Sequence, residues 1–356
     1  MLFQFRDGTR EFKCRLLSSR RGSGETCACA TEVCDWLALC FRAKHRYGSG
    51  LVDPCGARRE LEAEMRVFIL GGTGSIGTAV VQELVARSHD VVALSRSEKS
   101  DEKLSLLGAA PCRGDLRAAE GWVDEALACD AVIQVAATFD EDMAVADNCV
   151  TSALISASSE RGGTLRLIYT GGCWLYGETG DAIATEDRPF DPLRAFSWMV
   201  GHAERLLKCP TLSTAVVHPA MVYHEEGGAF ERFLKAAREN RPIEIWGGPD
   251  TRWPIIERTD LANAYCDLLM RPELKGHFNV SSEVGVRVGD IAKRFAGAYG
   301  STGEVVVRCV EDVVRQHGSW AKGPTLDQQM SSGKLQNATG WKPKVIDYQR
   351  SAVFEH

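Results

Sequence analysis

The sequence predicts an α/β fold, with a doubly wound parallel sheet followed by a smaller C-terminal lobe. Three observations predict it. MRVFIL (65–70) is a continuous apolar run, as in a central strand buried on both faces. GGTGSIG (71–77) follows at once and opens a helical pattern in which Ile76, Val80, Val81 and Leu84 fall on one face. Strand-like and helical runs then alternate up to residue 220, the pattern of parallel strands joined by crossover helices. At 356 residues the chain can bury one large core, or one core and a lobe.

Residues 1–64 precede this pattern and do not share it. They mix Arg, Gly, Ser and Cys without sustained periodicity, apart from one apolar patch, VCDWLALCF (33–41). The acids Asp7, Glu11, Glu25, Glu32 and Asp35 do not suit a transit peptide, and the segment lacks the apolar core of a secretory signal. A poorly ordered extension is expected here, with Met65 as an alternative start. Six of the thirteen cysteines lie in it: Cys14, Cys27, Cys29, Cys34, Cys40 and Cys55. Their spacing lacks the paired CxxC arms of a zinc site, so no metal is expected. The other seven are scattered singly, as reduced thiols of a cytoplasmic enzyme are. A net charge of −6 speaks against nucleic acid as a partner. No apolar run reaches the roughly 18–20 residues needed to cross a bilayer, so no membrane partner is expected.

From Met65 the elements follow in order. In the glycine stretch, Gly71 suits a tight turn, Gly74 a close approach of backbone to a pyrophosphate, and Gly77 close packing of helix on strand. Thr73, Ser75 and Ile76 complete the turn, and the helix they open presents free N–H groups to phosphate. The glycine spacing, set between strand and helix, predicts a bound dinucleotide in a Rossmann-type sheet. DVVALS (90–95) is the second strand. It ends Ser95-Arg96-Ser97, two hydroxyls and a guanidinium, where an NAD site places a carboxylate; NADP is therefore expected over NAD. APCRGDL (110–116) ends in Asp115 and Leu116, and DAVIQVAAT (130–138) contains Ala136 and Ala137 near its end. LRLIYT (165–170) ends in Thr170, and LSTAVVHPA (212–220) carries Pro219. These strand ends should line the cofactor, because ligands of such sheets bind there.

From Met65 onward the chain resembles the extended short-chain dehydrogenase/reductases, the NAD(P)-dependent epimerase/dehydratase-like group. GGTGSIG, RGDL, VAAT, IYTGGCWLYG, VVHPAMVY and RWPIIERTDLANAY carry the likeness, with FNVSS (278–282) and SSGKLQNATGWKP (331–343) in the C-terminal lobe. The resemblance implies a Ser or Thr, a Tyr and a Lys that move a proton while hydride moves to or from nicotinamide. Alignment places Gly172 at the serine, Phe196 at the tyrosine and Val200 at the lysine. None of the seven tyrosines has a lysine four residues later. Phe196 and Val200, one helical turn apart with Met199 and Ala203, should form an apolar face beside the nicotinamide.

Substitute proton donors are then Cys173 and Tyr176. His202 is expected to be solvated or to cap its helix; His224, in the loop after PAMVY, to reach the substrate. Trp174 and Trp253 are expected as pocket walls, and Arg252 as the holder of an anion. Such a pocket points to a small apolar carbonyl or enone rather than a sugar nucleotide. Three regions result: an extension (1–64), a dinucleotide-binding core (65–220), and a mixed substrate lobe (221–356) that partly returns to the core. The function expected is that of an atypical NADP-dependent oxidoreductase or isomerase acting on a small molecule. The alternatives are a redox-silent NADP-binding sensor or scaffold, and a lyase or isomerase with a structural cofactor. The resemblance also implies a homodimer paired through sheet-flanking helices.

Overall fold

The computed structural model describes residues 63–355 apart from 139, 302 and 303. The expected extension therefore lies outside the described residues up to position 62, as do its six cysteines. Strands and helices alternate from Arg66: β1 Arg66–Leu70, α1 Ser75–Ala86, β2 Asp90–Ser95, α2 Glu98–Leu106, β3 Ala110–Arg113, α3 Val123–Ala128, β4 Ala131–Gln134 and α4 Met143–Arg161. There follow β5 Leu165–Thr170, α5 Trp198–Lys208 and β6 Leu212–Pro219.

These strands and β11 (Gly276–Val280) form one seven-stranded sheet in the order β11-β6-β5-β4-β1-β2-β3, with every pair parallel. Alternation along the strands explains why both faces are covered. Val67 and Ile69 join Val80, Leu84, Tyr265 and Leu268 on one side; Phe68 and Leu70 join Trp122, Leu154, Ala203 and Leu206 on the other. Each such aliphatic side chain contributes about 1.5–3 kcal/mol when fully buried. A strand apolar at every position has to lie between two layers of helices.

Two strands stop earlier than their apolar runs suggest. β3 ends at Arg113 because Asp115 turns the chain, its Oδ1 accepting the Arg117 N–H at 2.8 Å. β4 ends at Gln134, whose side-chain oxygen folds forward to accept the Ala136 N–H at 2.8 Å.

The C-terminal residues build a four-stranded sheet, β12-β10-β7-β8, and a strand pair, β13-β9. Their elements are β7 Met221–His224, β8 Gly227–Gly228, α6 Glu231–Arg238, β9 Ile243–Trp246, β10 Arg252–Glu257, β12 Glu283–Arg287, α8 Val288–Ala298 and β13 Val305–Arg308, with α9 Val310–His317 after them. Phe233, Trp253, Ile255, Ile291 and Phe295 form the core of this part. The chain also returns to the main sheet, through β11, through α7 (Arg258–Leu269) packed on α1, and through α10 (Gly333–Thr339) beside β11.

Candidate active site

The strand order reverses between β1 and β4, and the crevice at the carboxyl ends of such strands is where ligands bind. The glycine turn lies there. Gly71 has φ of +93°, and a Cβ on it would lie 2.6 Å from Ala136 N; one on Gly77 would lie 2.0 Å from Gly71 O. Strand, turn and helix thus meet backbone to backbone. Gly74 caps α1 without a side-chain bond, and the first helical turn holds no acid. The amides following Thr73, from Ser75 and Ile76 onward, therefore keep the partial positive charge that attracts an anion. This cradle fits a pyrophosphate.

At the ribose end, Ser95 is buried and its hydroxyl donates to Ser97 O at 3.2 Å. Ser97 caps α2 by accepting the Ser100 N–H at 3.2 Å, so its hydroxyl serves the helix rather than a phosphate. Arg96 is exposed. The sequence reading missed a second cation: α2 carries Lys103 to the glycine turn, where Nζ donates to Thr73 O at 2.8 Å. It lies seven residues beyond Arg96 in a polar helix, so only the packing of α2 reveals it.

Leu116, Ala136 and Ala137 come together, lining one small hollow with Gln134 and Asp147. Asp115 begins the turn beside it. Asp147, on α4, is a buried carboxylate with three donors: Tyr169 Oη at 2.8 Å, Gln134 Nε2 at 3.0 Å and His202 Nδ1 at 2.7 Å. His202 is thus not solvated, as its position in the sequence suggested, but docks α5 onto α4. Burial and the adjacent Asp147 push the Tyr169 hydroxyl well above its ordinary pKa. Thr170 donates to Gln134 O at 2.6 Å and shares a 2.7 Å bond with the Tyr265 hydroxyl. Pro219 ends β6 opposite Val280.

At the reacting end, Gly172 is extended and a Cβ there would meet nothing within 4 Å. The short helical turn Cys173–Tyr176 follows. Cys173 is buried, which pushes its thiol up to about 12, so it stays protonated near neutrality. Tyr176 is also buried, its hydroxyl donating to Asn279 Oδ1 at 2.7 Å; desolvation raises its pKa above the ordinary range. Neither expected donor is poised to give up a proton. Trp174 packs on Phe196 with ring centroids 5.4 Å apart, and a Cβ on Gly323 would lie 2.5 Å from its indole. Phe196 closes a tighter first turn, Arg194–Phe196, that runs through helical Ser197 into α5, on which Val200 is half-buried.

Three further expected pocket residues are engaged with protein partners. Arg252 binds both oxygens of Asp327, at 2.9 and 2.6 Å, and Asp181 at 2.9 Å; its charge is already neutralised. Trp253 is 2% exposed in the C-terminal core, near Phe233, with its indole N–H donating to Pro324 O at 2.8 Å. His224 is buried in the β7–β8 hairpin beside Glu226, and desolvation, with Arg258 nearby, lowers its pKa. No cluster of metal-ligating side chains occurs among the described residues.

Known proteins share this architecture. A sterol-4-alpha-carboxylate 3-dehydrogenase (decarboxylating) of Dictyostelium discoideum is 31% identical over 142 residues, 37% of this chain and 43% of its own. The UDP-glucose 4-epimerase of Thermus thermophilus, solved with NAD, superposes with a TM-score of 0.67 at 22% identity, over 82% of this chain and 97% of its own. A human epimerase family protein, solved with NADPH, gives 0.66 at 23%, over 81% and 98%. Residues 67–281 match the family described as the NAD dependent epimerase/dehydratase family, and the chain belongs to it.

Proposed function

We propose that the chain is an NADP-dependent oxidoreductase acting on a small apolar carbonyl or enone, with a proton source other than a tyrosine–lysine pair. The observation that carries this reading is the glycine turn with its cations. The turn closes on itself through Gly71 and Gly77, Lys103 sits on the Thr73 carbonyl, and Arg96 is exposed at the end of β2. When bound there, the cofactor supplies hydride. The chain's own groups hold its phosphates at α1, favour a 2′-phosphate through two cations, and set the Trp174–Phe196 pair as an apolar wall at the reacting end. Water or the substrate itself brings the proton, entering at the open space over Gly172.

The substrate class rests on the same geometry. Arg252 is held between two carboxylates and is not free to bind the diphosphate of a sugar nucleotide. The Dictyostelium relative is named for a sterol carboxylate rather than a sugar nucleotide. Among the described residues no helix is long and apolar enough to cross a membrane. Pairing of two copies through the sheet-flanking helices belongs to the same proposal.

A panel of apolar ketones and enones with NADPH tests it. Wild-type protein should consume NADPH slowly with at least one of them. The Phe196→Tyr, Val200→Lys double variant should turn over faster, by about a hundredfold, the value of a positioned acid–base group. A second reading, a redox-silent NADP-binding sensor, draws on the Trp174–Phe196 contact at the reacting end. Tight NADPH binding with no turnover by either form would favour it.

A further inference from the structure

We propose that His218 and His277 are a positioning pair that locks the Gly171–Gly172 turn at the reacting end, and that one added proton unlocks it. The functional part of this inference rests on the reading that nicotinamide lies over that turn.

The pair arises from the sheet register. β6 places His218 beside the end of β5, where Thr170 pairs with Val217, and β11 places His277 two residues before Asn279, the register partner of His218. His218 is 0% exposed, and His277 is half-buried. The Gly172 N–H donates to His218 Nδ1 at 3.3 Å, and His218 Nε2 lies 2.9 Å from His277 Nδ1. A Cβ on Gly171 would lie 2.5 Å from His218 Nδ1, so only glycine lets the ring reach the turn. Phe190 packs on both imidazoles, and Tyr176 meets His218 edge-on.

Counting protons fixes the states. In the neutral pair one proton bridges the rings and one more sits on an outer nitrogen. Because His218 Nδ1 accepts the Gly172 N–H, that outer proton is on His277 Nε2, and a single backbone amide sets both tautomers. Adding a proton while the bridge persists fills the remaining outer nitrogen. Whichever ring carries the charge, His218 Nδ1 becomes N–H and faces the Gly172 N–H, donor against donor. The Gly172 N–H loses its acceptor, directly before Cys173 and Trp174.

The surroundings put this event on the acid side. Burial holds His218 down at about 3, and burial and Lys334 lower His277 as well. The titratable groups around the pair are Lys334 on α10, which donates to His277 O at 2.7 Å, Glu204 on α5, whose charge favours His277 protonation, and Tyr176 and Glu186, which meet Asn279. The locked state is therefore the neutral one, and it is lost as pH falls below the ordinary histidine range.

Nitrogen-15 NMR of the full chain, labelled at histidine and glycine, tests the pair without any substrate. The expected result is His218 protonated at Nε2 near neutrality, and a joint shift of His218 Nδ1 and the Gly172 amide on acidification toward pH 3. His277→Gln leaves His218 alone to take the charge and should move that shift to a different pH, so that a shift at the unchanged pH counts against the pair. His218→Asn, which offers a non-titrating oxygen near the Nδ1 position, should retain the Gly172 bond and be flat with pH. An unmoved Gly172 amide, or the same shift at the same pH in His277→Gln, would overturn the proposal. NADPH titration of the same samples separates the two ideas: no NADPH binding at any pH defeats the cofactor reading, while the NMR result still decides the pair.

Discussion

Gly77 leaves no space for a side chain: a Cβ placed there would lie 2.0 Å from the Gly71 carbonyl oxygen, a separation backbone atoms cannot relieve by rotation. Gly77→Ala should therefore push α1 off β1, abolish NADPH binding in calorimetry and lower the melting temperature together. Retained binding would show that the turn does not serve the cofactor. Gly74 is different, since its Cβ would stand 3.3 Å from the same oxygen. At this scale the sequence was informative wherever the reason is local. Glycine sterics, the strand run MRVFIL and the missing tyrosine–lysine spacing can all be read from neighbouring positions. Arg252 was misread because its partner Asp327 lies 75 residues away, and an arginine looks the same in sequence whether free or paired.

Helices α4 and α5 are held to the sheet by a polar knot as well as by apolar packing. Asp147 joins β4 through Gln134, β5 through Tyr169 and α5 through His202. Removing the acceptor leaves buried donors unsatisfied at about 1–3 kcal/mol each. Asp147→Ala should thus cost about 3 kcal/mol or more, read as a large fall in the denaturant midpoint at unchanged slope. His202→Phe, which leaves Tyr169 and Gln134 satisfied, should cost less; equal losses would contradict the knot. Of its four members only His202 stood out in the sequence, and for a different role, because they meet only when four separate elements pack. The helices themselves were legible, though the first turn of α5, which holds Phe196, is wound more tightly than the rest.

Across the whole molecule, a parallel sheet with helices on both faces creates a crevice where the strand order reverses, and the phosphate turn falls at that point. The two cations and the apolar reacting end sit on this scaffold. Parallel strands buried on both sides are mostly apolar, which is why the fold class was visible from the sequence. The contents of the pocket were less so, since Lys103, His277 and the Trp174–Gly323 contact depend on how distant segments fold back. The most direct measurement is calorimetric titration of the chain with NADPH and with NADH. The account predicts NADPH bound more tightly by about tenfold or more, the worth of one charge-assisted phosphate contact, and a preference that shrinks in Arg96→Ala and in Lys103→Ala. Tighter binding of NADH, or no nucleotide bound at all, would contradict it.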